Sequence, residues 1–451
     1  MNVEFKSFCV LQSDSLDVRD QFVGVKFAGG KPQIFFPYGC FQNFDDTSDE
    51  EIQNAFSDLM KILSDHHLVI EAEHSNCASS FEFETKLDFP LQEFFFVLND
   101  YLNFGLFKET EKSYKRCVRG KVNWNRTIKQ IRPHVVDGES GSEIVYLNLI
   151  SRCDFQNENQ LVSLIHEFCV AQAQKLIGPL YGVEADVEST LDFDYELFSA
   201  VLNEKCSKTF NDRKLRLFHS LQVILEYLQG NTVDGTLREY CYGVSSFAPI
   251  WEKLLDRIFG NLHRNENKEC FNPHCEWRIA GGVKNADDQK FAMRPDTIMR
   301  HFDEIFVIDA KFYTKNRLPS SSSISKQIVY AEFVEQKGFA DGDKIFNVFL
   351  LPCCCKTLRG GAAPGEMNFL GTAVADWTNG SKPYHNIVGI QLDVKSVMRD
   401  YRRNEVLQFK LAEIVKNAIC KEAGENSADE TETVFLEFPV PKNQISESRN
   451  R

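Results

Sequence analysis

In the stretch MRPDTIMRHFDEIFVIDAKFY, Pro295 and Asp296 precede Asp309, Ala310 and Lys311 across a short turn. Alternate residues of a strand share a face, so Asp309 and Lys311 project together, and Asp296 at the start of the preceding strand can come alongside them. Two carboxylates and one ammonium then converge. Carboxylate oxygens are the hard ligands that Mg2+ prefers, and Mn2+ can substitute for it. A dication held there polarises a phosphoryl oxygen, lowers the pKa of a bound water and offsets charge developing on a leaving oxygen. Lys311 would orient that water or stabilise a pentavalent phosphorane. The chemistry to expect is Mg2+-dependent phosphodiester hydrolysis. The competing reading is a structural Asp–Lys ion pair at a strand end, although an unpaired charge beside a buried strand is unfavourable by on the order of several kcal/mol.

A further carboxylate comes from the helical pattern FAPIWEKLLDRIF, in which Trp251, Leu254, Leu255, Ile258 and Phe259 form an apolar stripe and Glu252 flanks it. Glu252 is placed to reach a metal directly or through water, or else it is a solvated helix-flank residue. On a later helix, expected from about residue 325, Gln327 and Tyr330 lie one turn apart and are positioned to brace the site or to meet a DNA backbone.

These residues need a scaffold. Residues 305–308 form a continuous apolar run, as suits a strand buried on both faces, and 345–351 form another that Pro352 is expected to stop. Short strands near 276–280 and 293–299, a strand at 387–392 and helices to about residue 419 complete the pattern. Upstream, residues 1–110 mix short apolar runs with a helix marked by Ser48 and Glu51 as a capping box, followed by the stripe Ile52, Ala55, Phe56, Leu59, Met60 and Leu63. Residues 145–230 read as mainly helical. The resulting expectation is a multidomain α+β chain: an amino-terminal α+β domain at 1–110, a basic hairpin and helical region at 111–235, a catalytic domain at 236–421, and an acidic polar tail at 422–451.

Composition narrows the class. The 451 residues, 43% of them hydrophobic, exceed one ordinary core and contain no apolar run long enough for a membrane helix. The start MNVEFKSFCVLQSDS lacks the basic flank and apolar run of a secretion signal, and 14 cysteines in so long a chain suit reduced thiols, so a cytoplasmic protein is expected. GVKFAGGKP approaches a phosphate loop, but Gly30 stands where Lys is needed and Pro32 where Ser or Thr should be, which argues against nucleotide hydrolysis by this chain. Cys270, His274 and Cys275 lack a second pair to complete a zinc site. HExxH and GxSxG motifs are absent.

The net charge of −14 repels nucleic acid at long range, yet residues 112–136 carry eight Lys or Arg and no Asp or Glu. Within that segment Arg116, Arg119, Lys121 and Arg126 can follow phosphates with Trp124 packing or stacking, or the segment can dock an acidic partner, or it is a solvated hairpin.

The element order, with Glu252, Pro295, Asp296, Asp309, Ala310, Lys311 and Gln327, resembles the PD-(D/E)xK nuclease superfamily, and within it the McrC and LlaJI restriction-subunit group. The narrower likeness rests on the thirteen-residue step from Asp296 to Asp309 followed by AKFY, and on RGKVNWNRTI at 119–128, which is similar to a turn segment of that group. It touches roughly residues 115–335. The resemblance implies a restriction-endonuclease-like α/β core with a mixed sheet flanked by helices, cutting double-stranded DNA beside a separate AAA+ GTPase motor that recognises DNA and translocates, in a phage-defence restriction system. Two alternatives stay open: a self-sufficient type II restriction endonuclease, and a non-catalytic assembly subunit that stimulates a partner NTPase.

Overall fold

A computed structural model describes residues 5–12, 21–45, 47–76, 83–116, 121–138, 141–157, 160–183, 186–232, 237, 239–261, 275–285, 294–314, 317–354, 367–378 and 380–425. From the amino terminus, β1 (Cys9–Val10), β2 (Val23–Ala28) and β3 (Lys31–Phe35) lead to α1 (Asp49–Ser64), α2 (His66–Asn76), β4 (Thr85–Lys86) and α3 (Leu91–Phe104). The middle holds β5 (Glu109–Arg116), β6 (Lys121–Val122), α4 (Trp124–Gln130), β7 (His134–Gly138), β8 (Gly141–Val145) and β9 (Ile150–Asn157), then α5 (Leu161–Leu176), α6 (Tyr195–Lys208) and α7 (Asp212–Asn231). After β10 (Tyr240–Val244) and α8 (Ala248–Phe259) come β11 (Glu276–Ile279), β12 (Gly282–Asn285), β13 (Thr297–His301), β14 (Glu304–Ala310) and α9 (Ser321–Gln336). The last elements are β15 (Ile345–Cys353), β16 (Met367–Ala373), β17 (Ile387–Asp393), α10 (Val394–Arg399) and α11 (Glu405–Glu425). No described helix is long and apolar enough to cross a membrane.

The chain is α+β with two five-stranded sheets. In the first, ordered β1-β3-β2-β10-β4, the hairpin β2–β3 turns at Gly29 and Gly30, both at positive φ. The segment that approached a phosphate loop is therefore a tight hairpin turn. Ser48 caps α1 by accepting the Glu51 N–H at 3.2 Å, and the expected stripe on that helix is buried. Strand β10, assigned from sequence to the carboxy-terminal part, instead completes the first sheet between β2 and β4. Tyr240 fixes it there, its ring stacked between Phe27 and Phe89 with centroids 5.5 and 3.9 Å away.

The second sheet is mixed, ordered β13-β14-β15-β17-β16, with β14, β15 and β17 parallel and both edges antiparallel. Phe306, Ile308 and Ala310 of β14 join the main core, while Ile305 and Val307 face Tyr330, Ala331 and Val334 of α9. Burial on both faces accounts for the unbroken apolar run. Several boundaries differ from expectation. Helix α9 starts at Ser321 because the serine run forms its first turn behind the N-cap Ser320. Pro352 lies within β15, where β17 still pairs with it and the missing N–H removes a ladder bond only near the strand's end. Residues 150–157, expected to be helical, form β9, and α11 continues to Glu425, into the first residues of the expected tail. The rest of that tail, and the loop RGGAAPGE, lie outside the described residues.

The β2–β10 seam depends on glycine. Gly24 pairs with Gly243, and a Cβ on Gly243 would meet the Val23 carbonyl oxygen at 2.2 Å and the Phe22 ring at 2.6 Å. Gly243→Ala should cost about 1–3 kcal/mol by overpacking. Gly230→Ala, in α7 with nothing within 4 Å, should leave stability equal or slightly raised. Thermal melts of the two variants check this; an unchanged midpoint for Gly243→Ala contradicts the close approach.

Candidate active site

Asp309 is the sixth residue of β14 and pairs in register with Phe349 of β15. The pairing holds the backbone one step further, because the Lys311 N–H donates to the Leu350 carbonyl at 2.9 Å. Asp309 and Lys311 accordingly share the face of Ile305 and Val307, and the Lys311 ammonium forms an ion pair with the Asp309 carboxylate. Asp296 immediately precedes β13, whose Thr297 pairs with Ile308. Its carboxylate accepts the Ala310 N–H at 2.8 Å. Neighbouring antiparallel strands thus set Asp296 beside Asp309 at the same end of the sheet.

Helix α8 enters beneath this end. Trp251, Leu254, Leu255, Ile258 and Phe259 are all buried, and the rings of Phe247 and Trp251 lie 5.6 and 5.8 Å from Phe312, just past Lys311. That seat turns half-buried Glu252 toward the cluster. Burial pushes the Glu252 carboxyl up to about 7, opposed by Lys253 and Lys311 and reinforced by the charge of Asp309. Asp296 is raised well above the ordinary carboxylate range, first by burial and then by Glu252 and Asp309, against Lys311 and the Ala310 N–H. Burial works against the Lys311 ammonium, yet Asp309 and Asp296 hold its pKa above the usual lysine value. Glu252, Asp296, Asp309 and Lys311 therefore sit within electrostatic reach of one another.

Gln327 is 1% exposed and donates through Nε2 to the Val307 carbonyl at 2.6 Å, so it braces β14 and is not available to a DNA backbone. The Tyr330 hydroxyl donates to the Arg294 carbonyl at 3.0 Å, and burial together with Asp309 and Asp296 raises its pKa. Sequence patterning passed over the residues that fasten α8 to β13. The Thr297 hydroxyl donates to Asp256 at 3.3 Å, and the Asn261 side chain receives the Arg300 N–H at 2.7 Å while donating to its carbonyl. Neither contact has a local signature.

The basic segment belongs to a separate sheet ordered β5-β9-β6, with α4 anchored on it by the buried Thr127 hydroxyl, which accepts the Ile150 N–H at 3.0 Å. Arg116, Lys121, Trp124 and Arg126 are exposed, with the Arg126 guanidinium 3.8 Å from the centre of the Tyr114 ring and Trp124 edge-on to Tyr146. Arg119, Cys270 and His274 lie outside the described residues; Cys275 is exposed.

Among the described residues no three His, Cys, Asp or Glu side chains already stand close enough together to enclose an ion. The donor chemistry nevertheless fits a hard dication: burial and the charge of Asp309 oppose ionisation of Glu252 and Asp296, and a divalent cation relieves that opposition. A consequence for stability follows from the sign of the Glu252 shift. Its folded pKa lies above its unfolded value, so its contribution is present at pH 4.5 and is lost as pH rises through about 7. In chelator, melting temperature should fall between about pH 5 and 8, and Glu252→Gln should flatten part of that fall. Parallel curves for the two proteins would contradict the cluster's electrostatics.

A solved half-complex from a tetradecameric assembly of Thermococcus gammatolerans McrB AAA+ hexamers with bound McrC is similar over 87% of this chain and 83% of that chain, at 14% identity and a TM-score of 0.35. No individual curated protein sequence matches. The profile of the LlaJI restriction endonuclease family matches residues 22–369, more than three quarters of the 451. The chain belongs to the LlaJI restriction endonuclease family.

Proposed function

We propose that this protein is the Mg2+-dependent endonuclease subunit of a McrBC/LlaJI-like restriction system, with a PD-(D/E)xK core that hydrolyses phosphodiester bonds of double-stranded DNA. The observation that carries the reading is the convergence of Asp296, Asp309, Glu252 and Lys311 at one end of β13 and β14, in a chain of a restriction endonuclease family. Asp296 and Asp309 are the residues to hold Mg2+, with Glu252 an outer or water-mediated ligand; Mn2+ would serve in its place. When bound, the ion supplies Lewis acidity toward the scissile phosphate and a lowered pKa for an attacking water. Lys311, kept cationic by its two carboxylate neighbours, lies against negative charge growing on the phosphoryl oxygens. Gln327 and Tyr330 hold β14 and the backbone before Asp296, so the carboxylates keep their spacing.

Asp296→Ala or Asp309→Ala should abolish cleavage with the fold intact, and Lys311→Ala should behave alike. Glu252→Gln should lose activity in part and recover at higher Mg2+ or with Mn2+. Either aspartate variant cutting DNA at the wild-type rate overturns the site. The same assay without partner or GTP separates a self-sufficient enzyme from a motor-dependent one, and wild-type protein that never cuts with a partner present favours the non-catalytic assembly role.

We further propose that the basic segment docks on an AAA+ GTPase partner. Its exposed cations adjoin exposed apolar side chains: Trp124 at 56% exposure, Ile128, and on the β7–β8 hairpin Val135 and Ile144 at 67% each. Mixed apolar and cationic character suits a protein surface better than phosphate tracking does. Replacing Arg116, Arg119, Lys121 and Arg126 together by Ala should preserve whatever DNA affinity the isolated chain has, yet abolish co-elution with the motor and stimulation of its NTP hydrolysis. The opposite result, a salt dependence of DNA binding flattened by about one unit per lost contact, would assign these residues to phosphates.

A further inference from the structure

The helix that carries Glu252 is gripped on a flank away from that residue. Arg257 stands five positions further along α8, about 140° around the axis and about 7.5 Å along it. Its Nη1 pairs with Asp65 Oδ2 at 2.6 Å and its Nη2 with Glu71 Oε2 at 3.8 Å. Its guanidinium also lies 5.6 Å from the centre of the Tyr401 ring, and the Tyr401 hydroxyl donates to the same Asp65 oxygen at 3.4 Å. Asp65 is itself fixed: it joins α1 to α2, and its other oxygen accepts the Leu68 N–H at 3.1 Å.

About a quarter of each of these three charged side chains is exposed, so the ion pairs are partly screened and add little to overall stability. Their effect is geometric. Other contacts limit the translation of α8: Asp256 meets Thr297 of β13, and Gln408 of α11 donates to the Ile258 and Phe259 carbonyls at 3.1 and 3.2 Å. A planar guanidinium held by two carboxylates and covered by a ring adds to the aromatic seat on Phe312 a second restraint on rotation about the helix axis.

We propose that Arg257 is a positioning residue for the nuclease centre: by gripping Asp65 and Glu71 of the amino-terminal helices it sets the roll of α8, and with it the approach of Glu252 to Asp296 and Asp309. The inference rests on the nuclease reading above. It makes the affinity for a divalent cation depend on side chains that belong to a different part of the fold from the ligands, the part built around the first sheet.

The test is Mn2+ binding to the full-length protein, followed by electron paramagnetic resonance, alongside DNA cleavage. Arg257→Gln should raise the Mn2+ dissociation constant about tenfold, as loss of an outer support does, and Asp65→Asn should do nearly the same. Because the two act as one contact, the double variant should be no worse than either single one; additive losses would overturn the proposal. Arg257→Lys, which keeps a charge on Asp65 but loses the planar fork, should recover the affinity only in small part. Wild-type Mn2+ affinity in folded Arg257→Gln overturns the inference, and Glu71→Gln carries the same test if Arg257→Gln does not fold. Asp309→Ala distinguishes the two levels. If it binds Mn2+ like the wild type, the nuclease reading fails; if it loses Mn2+ while Arg257→Gln does not, only the positioning role fails.

Discussion

Asp296, Asp309 and Glu252 are gathered about one end of a strand buried on both faces, where burial and the charge of Asp309 disfavour ionisation of the other two, and the surrounding elements hold them there. The cluster persists because each member sits on a different rigid element: Asp309 on β14, Asp296 at the head of β13, Glu252 on α8. Lys311 supplies one compensating charge, and the Ala310 N–H one compensating dipole. A loop-borne set would relax apart. Here the ladder β13-β14-β15, the Gln327 brace and the aromatic seat of α8 against Phe312 remove that freedom.

Much of this was legible locally. The parity of Asp309 and Lys311 fixes their common face once residues 305–308 are read as a strand, and the spacing of Trp251, Leu254, Leu255 and Ile258 fixes which side of α8 is buried, leaving Glu252 at its edge. Both inferences use only the two periodicities of regular structure. What stayed hidden is what depends on distant partners. Residues 240–244 carry no local mark of their place; that they lie between β2 and β4 follows from the fit of Gly243 on Gly24 and of Tyr240 between two phenylalanines. The grip of Arg257 on Asp65 has no local mark either, because an ion pair across 192 positions leaves no periodic trace. The role of Gln327 was open for a similar reason: whether an amide faces solvent or a strand carbonyl is decided by where the helix lands, and α9 lands on Val307.

Charge shows the same division between local and global. A chain of net −14 is a poor scavenger of nucleic acid, yet one stretch of it, on the separate sheet β5-β9-β6 and α4, is purely cationic among its charged residues. The exposed apolar side chains on the β7–β8 hairpin would add to the proposed docking a contribution that salt does not screen.

The position of β10 also bears on the order in which the molecule assembles. Val244 pairs with Val23, more than two hundred residues upstream, and without β10 the strand β4 has no neighbour in its sheet. During synthesis the first sheet therefore cannot close until the whole helical middle and β10 itself have left the ribosome. Closing so long a loop is entropically slow, and such non-local pairing retards folding. A chain cut at residue 110 or 235 would expose one edge of β2 and leave Phe27 and Phe89 without the ring that lies between them. The amino-terminal part is thus a late-maturing unit whose completion is signalled by the arrival of the segment leading directly into α8, so the carboxylate cluster is assembled only on a chain whose first sheet is already able to close.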